Sequence, residues 1–108
     1  MRSRYVWHQH VPIGLEQGLT REEFLSIATR DFAEFSPAET PVLKYATALV
    51  TGSIDDATHS ELARFVDEHV LVAIVFLASE YLQVSRLIDA LAVDLEDEFT
   101  GWQLQQLL

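Results

Sequence analysis

The sequence predicts an all-α bundle built around one long central helix. Three observations carry this. Helix-start signatures recur along the chain, alternating strand patterns hardly appear, and the stretch from Glu68 to Val93 stays predominantly apolar at helical length. The whole of residues 1–108 reads as one domain, with no linker, low-complexity segment or clear internal repeat.

The N-terminal segment, residues 4–18, holds Tyr5, Trp7, His8, His10, Val11 and Pro12 before Gly18. Pro12 and the Gly18 stop favour a helix or broken helix over a strand. Thr20 followed by Glu23 is a capping box: the hydroxyl accepts the Glu23 amide while the carboxylate reaches back to the Thr20 amide. Phe24, Ile27 and Ala28 then form an apolar stripe at i, i+3, i+4 spacing. Ser36-Pro37-Ala38-Glu39 repeats the signature with Pro37 at a first helical position, although Pro41 shifts the expected start of the regular helix toward Thr40-Pro41. Leu43, Tyr45, Ala46 and Leu49 supply its buried face, and Gly52 is a left-handed stop.

Asp55 or Asp56 caps a short helix carrying Leu62, Phe65 and Val66. Asp67 then caps the long helix, expected to run from Glu68 to Val93. Its first half is apolar on all sides, which calls for burial by several neighbours or by other subunits. Its second half is amphipathic, with Tyr81, Val84, Leu87, Ile88 and Leu91 on one stripe and Gln83, Arg86 and Asp89 free to face water. An acidic tail with Asp94, Glu96, Asp97 and Glu98 follows, and Gly101 precedes a short apolar end with Trp102, Leu104, Leu107 and Leu108.

Composition narrows the function. The 108 residues are 49% hydrophobic and 22% charged, enough apolar material for a core and too much for intrinsic disorder. The net charge of −10 argues against nucleic acid or an anionic membrane as partner, because both need clustered Lys and Arg. That charge is uneven, +1 over residues 1–30 and −11 over residues 31–108. With no cysteine, disulfides, thiolate metal sites and thiol nucleophiles are excluded. No stretch reads as a signal peptide, and the longest uninterrupted apolar run, Val70 to Ala78, is short for a bilayer span. A soluble cytoplasmic protein is the expectation.

The candidate chemistry sits at the N-terminal end. His8 and His10 are two apart, so on a helix they diverge and cannot share a metal. His10 reads either as a packed, hydrogen-bonded core histidine or as a general base or proton relay. His59 and His69 read as surface or interface residues. No Ser-His-Asp signature and no glycine-rich phosphate loop appears, and no metal or cofactor is expected.

Tyr5-x-Trp7-x-x-His10-Val-Pro-Ile, Gly18-Leu19-Thr20-x-Glu22-Glu23, Phe35-Ser36-Pro37, Leu43-x-Tyr45-Ala46-x-Ala48-Leu49, Ile54-Asp55-Asp56-Ala57 and the closing Arg86 to Glu96 run follow one another along the chain. In this order they resemble the carboxymuconolactone decarboxylase family, which includes alkylhydroperoxidase D-like proteins. The resemblance spans residues 4–96. It implies an alkylhydroperoxidase D-like helical bundle that assembles as trimers or hexamers, here through the face of helix 68–93. It places the family's histidine at His10, framed by a pocket of Tyr5 and Trp7. The peroxidase branch's two cysteines would fall at Ser3 and Val6, and the carboxylate of its cysteine-free relatives also at Val6, so neither is present. The family's upstream helix, with its relay Glu, would lie before Met1, so the chain reads as N-terminally short.

The expected function is therefore an oligomeric binding or scaffold protein of this kind, without thiol peroxidase chemistry. The alternative is an acid–base, decarboxylase-like enzyme using His10, with Glu16 or a neighbouring subunit supplying a carboxylate. Expected partners are copies of itself and a small organic ligand, with no nucleic acid and no membrane.

Overall fold

The structure, a computed structural model, describes residues 4–92, with side chains from Val6 onward. The expectations for Ser3, the Tyr5 side chain, the acidic tail and the Trp102–Leu108 end lie outside the described residues. Among those described there are five helices and no strand: α1 (Arg4–Glu16), α2 (Arg21–Thr29), α3 (Glu39–Thr51), α4 (Asp56–Ala63) and α5 (Glu68–Ala90). They fall into two units. Among the described residues, one holds α1, α2 and Leu87 to Ala92, and the other holds Phe35–Arg86, which contains α3, α4 and most of α5.

In the first unit, α1 runs through Pro12 without interruption. The proline has no amide to donate to the His8 carbonyl four residues back, so the helix proceeds with one rung missing from its ladder. It ends in a Schellman turn: Gly18 takes φ 98°, Leu19 N–H donates to the Gly14 carbonyl at 2.9 Å and Gly18 N–H to the Leu15 carbonyl at 3.2 Å. Thr20 caps α2 by the reciprocal box read from the sequence, with Glu23 N–H to Thr20 Oγ1 at 3.1 Å and Thr20 N–H to Glu23 Oε1 at 3.4 Å. The helix closes with a second Schellman turn in which Arg30, not a glycine, adopts the left-handed conformation at φ 59°.

The core of this unit is Val11 and Phe24, with Trp7, Leu19 and Leu25 packed against it. The Trp7 and Phe24 rings meet edge to face at 5.7 Å and 83°, the arrangement their quadrupoles favour. Gly14 allows the close approach of the two helices. A Cβ there would overlap the Phe24 ring and press on Leu19 at 3.0 Å.

In the second unit, Ser36 and Glu39 form their capping box, with Glu39 N–H to Ser36 Oγ at 3.1 Å and Ser36 N–H to Glu39 Oε1 at 3.2 Å. Regular helix begins at Glu39, earlier than the Thr40-Pro41 start expected from the proline. Pro41 is tolerated because the first amides of a helix have no intrahelical acceptor to lose. Gly52 ends α3 at φ 84° as read from the sequence. Asp55 caps α4, accepting the Thr58 amide at 2.7 Å. This helix is shorter than expected: Leu62 is its buried anchor, but Phe65 and Val66 lie past its end, and Phe65 is 42% exposed. The α3 and α4 helices pack on one another around Tyr45 and Leu62, both buried.

Asp67 caps α5 by accepting the Val70 amide at 2.9 Å. The helix ends at Ala90, short of the expected Val93, and Ala92 turns left-handed at φ 50°. Of the two sources of cover expected for its apolar first half, neighbouring helices of the chain do not supply it. Only Ser85 on α5 is buried, while Leu71, Val75, Ala78 and Leu82 are half-buried on one stripe. Phe76, Leu77, Leu87, Val70, Val72 and Val84 remain exposed.

Candidate functional site

The two N-terminal histidines separate as a two-residue offset on a helix requires. His8 is buried at 4% exposure, whereas His10 is exposed. The packed histidine of α1 is thus His8, the one the sequence reading did not single out. On His10, Nδ1 lies 2.8 Å from the Val6 carbonyl one turn earlier. A carbonyl only accepts, so Nδ1 carries the proton and Nε2 is left as the basic nitrogen of the neutral ring. Trp7 is half-buried and its ring is committed to Phe24. Its indole nitrogen is buried with no hydrogen-bond partner among the described residues. Glu16, considered as a carboxylate partner for His10, is exposed and six residues further along α1. That spacing is about 9 Å of rise and a different face of the helix. Among the described residues, no group of three or more His, Cys, Asp or Glu side chains is arranged to hold a metal.

A second histidine contact lies between α3 and α4. The Tyr45 hydroxyl is 3.4 Å from His59 Nδ1, with the rings 6.0 Å apart. His59 stays exposed, as the sequence suggested, while Tyr45 is buried. The signal was available: His59 precedes the buried Leu62 by one helical turn, which puts it toward the face that meets α3. Nearby residues Pro41, Lys44, Ala57, Thr58 and Glu61 line an open hollow of about 230 Å³. Glu61 there is within 3.2 Å of Arg64, the C-cap residue of its helix.

Two carboxylates have shifted acidity, Asp55 as the cap of α4 and Glu39 in the Ser36 box at the start of α3. Hydrogen bonds from Ser36, through its side chain first and its backbone second, hold Glu39 below the usual carboxylate value. Hydrogen bonds from Thr58, in the same order, do so for Asp55. These shifts are the signature of helix capping.

The largest unusual surface is α5. The helix is long and apolar enough, by length and composition, to cross a membrane, with a mean hydropathy of 1.6 over its most apolar window. The uninterrupted-run criterion missed this because Ser79, Glu80 and Gln83 break the run without much lowering the average. Its exposed side chains include Phe76 at 72% and Leu77 at 57%. Monomeric soluble proteins seldom leave contiguous apolar patches of this size uncovered. No protein-family model, curated protein or solved structure matches this chain.

Proposed function

We propose that this is a self-assembling helical binding or scaffold protein of the carboxymuconolactone decarboxylase-like kind, in which α5 is the assembly element. The observation that carries the reading is the exposure of α5: a 23-residue helix whose only buried residue is a serine. Assembly covers that apolar surface and gains the hydrophobic free energy that folding of the single chain leaves unrealised. The absence of cysteine removes thiol peroxidase chemistry from this reading. Light scattering on purified protein at micromolar concentration, without detergent, should give a trimer or hexamer. A monomer under those conditions, or protein recovered only with membranes, overturns it.

The second reading, acid–base catalysis by His10, is favoured by one feature: the Val6 contact fixes the tautomer and leaves Nε2 as the basic atom. It requires a carboxylate or guanidinium within hydrogen-bond reach of that nitrogen. Once a substrate is found, turnover that survives His10→Ala unchanged would remove it.

A further inference from the structure

The proposal that α5 drives assembly leaves open how two copies meet, and the exposure pattern along the helix answers this. Val70, Ala73, Leu77, Glu80, Val84 and Leu87 are all exposed, and they are spaced by alternating steps of three and four residues. That is the spacing of a coiled-coil a/d seam, apolar at every position but Glu80. It is separate from the half-buried stripe Leu71, Val75, Ala78, Leu82 that faces the chain's own interior. A lipid-facing helix needs no such periodicity, and exposed Ser79, Gln83, Arg86 and Asp89 give α5 a polar side that hydrocarbon would not accommodate.

We infer that α5 pairs with α5 of a second copy as an antiparallel two-helix seam centred between Leu77 and Glu80. Resting as it does on the assembly reading, this names the contact. The composition of the seam decides its direction. A parallel pair would set Glu80 against Glu80, placing like charges together in the core, and Ala73 against Ala73, leaving a gap. The antiparallel register sets Ala73 against the partner's Val84, Val70 against the partner's Leu87 and Leu77 against the partner's Glu80. Small then meets large, and each carboxylate lies over an aliphatic neighbour from which it can turn toward water. The registers one heptad to either side would use Leu91, beyond the last helical residue Ala90, or Val66, before the first helical residue Glu68. This contact is two-fold and isologous, so each copy presents the same patch; it fits a hexamer, in which it joins the copies in pairs, whereas a trimer has no two-fold axis and would overturn the pairing while leaving the assembly reading intact.

The area is adequate. Val70, Phe76, Leu77, Val84 and Leu87, on or beside the seam, are 37–72% exposed. Together they leave on the order of 400 Å² of apolar surface in water. A standard stable interface takes about 800 Å² from each partner, of which roughly 60% is apolar. Phe76 flanks the seam and enlarges it, while Val72 stands off it.

The cysteine-free sequence makes the register directly testable. Ala73→Cys and Val84→Cys proteins, one carrying a size tag, are mixed, re-equilibrated and oxidised. The expected product is a covalent heterodimer at the summed mass of the two chains, with each single variant alone remaining largely uncrosslinked. Val70→Cys mixed with Leu87→Cys should behave in the same way and gives an independent reading should one variant lose its helical circular dichroism. Self-crosslinking of Ala73→Cys alone indicates a parallel seam and overturns the proposal. No crosslink in either mixture, from protein that light scattering shows to be assembled, also overturns it while leaving the assembly reading intact. Monomeric protein overturns both.

Discussion

Phe24 on α2 and Phe76 on α5 are the same side chain in opposite situations. Phe24 is 5% exposed, edge-on to Trp7 and packed with Val11, whereas Phe76 is 72% exposed. The contrast extends to their helices. The eight-residue α4 carries one large apolar side chain, Leu62, and buries it completely. The far more apolar α5 buries only Ser85. Apolar composition therefore measures a helix's capacity for burial, while the partner that realises it need not belong to the same chain.

The sharpest way to break this contrast is to make the same substitution on both sides of it. Phe24→Ala should destabilise the chain by about 3–5 kcal/mol, through lost transfer free energy and the cavity it leaves. Phe76→Ala should change the single chain's stability by no more than about 0.5 kcal/mol while weakening association. Denaturant titration at low concentration reads the first quantity and sedimentation the second, and equal costs at the two sites would abolish the distinction. Leu62→Ala against Leu77→Ala repeats the test at the α3–α4 contact, with about 2–5 kcal/mol expected for Leu62 alone.

Smaller effects sharpen the packed side of the comparison. Gly14→Ala should cost about 1–3 kcal/mol, because the new methyl meets the Phe24 ring. Combining it with Phe24→Leu should recover part of that loss in thermal melts. Thr20→Ala removes one side of the α2 capping box and should cost about 1 kcal/mol.

The smallest expected effect is on acid sensitivity. Glu39 and Asp55 are held below their usual values of 4.5 and 3.8 by their cap hydrogen bonds. A depressed folded-state pKa contributes stability that is complete above the usual value and is lost as pH falls through the lowered one. The melting temperature should accordingly fall on acidification below these values. The double substitution Glu39→Gln, Asp55→Asn keeps neutral caps, so its melting temperature should fall less over the same range.

What was legible in the sequence follows from the range of the interactions. The Thr20–Glu23 box, the Ser36–Glu39 box, the Asp55 cap and the Gly52 stop each join groups within a few residues, so residue type and spacing suffice to read them. The left-handed Arg30 was not legible, because nothing in an arginine signals a conformation usually given to glycine. The end of α4 at Ala63 was missed because Phe65 and Val66 continued the apolar pattern after the backbone had left the helix. The histidines show the same limit at the site. A two-residue offset says that His8 and His10 diverge, but which one is buried depends on where Val11 and Phe24 put the core. The spacing of His59 to Leu62 gives its face on α4, but which α3 residue it meets, here Tyr45, depends on the α3–α4 turn, which residue patterns describe only loosely. The exposure of α5 is the extreme case, since whether the rest of the chain covers a helix is not a property of that helix's own pattern.

That exposure also bears on timing in the cell. A newly synthesised chain that has folded α1 to α4 still displays a helix that resembles the surface of an unfolded protein, and chaperones and proteases act on such surfaces. On the proposed assembly, survival of the chain becomes a race between clearance and the arrival of a second copy. The steady-state amount of protein should rise more steeply than its rate of synthesis, because encounters between copies grow with the square of their number while clearance grows only in proportion to it.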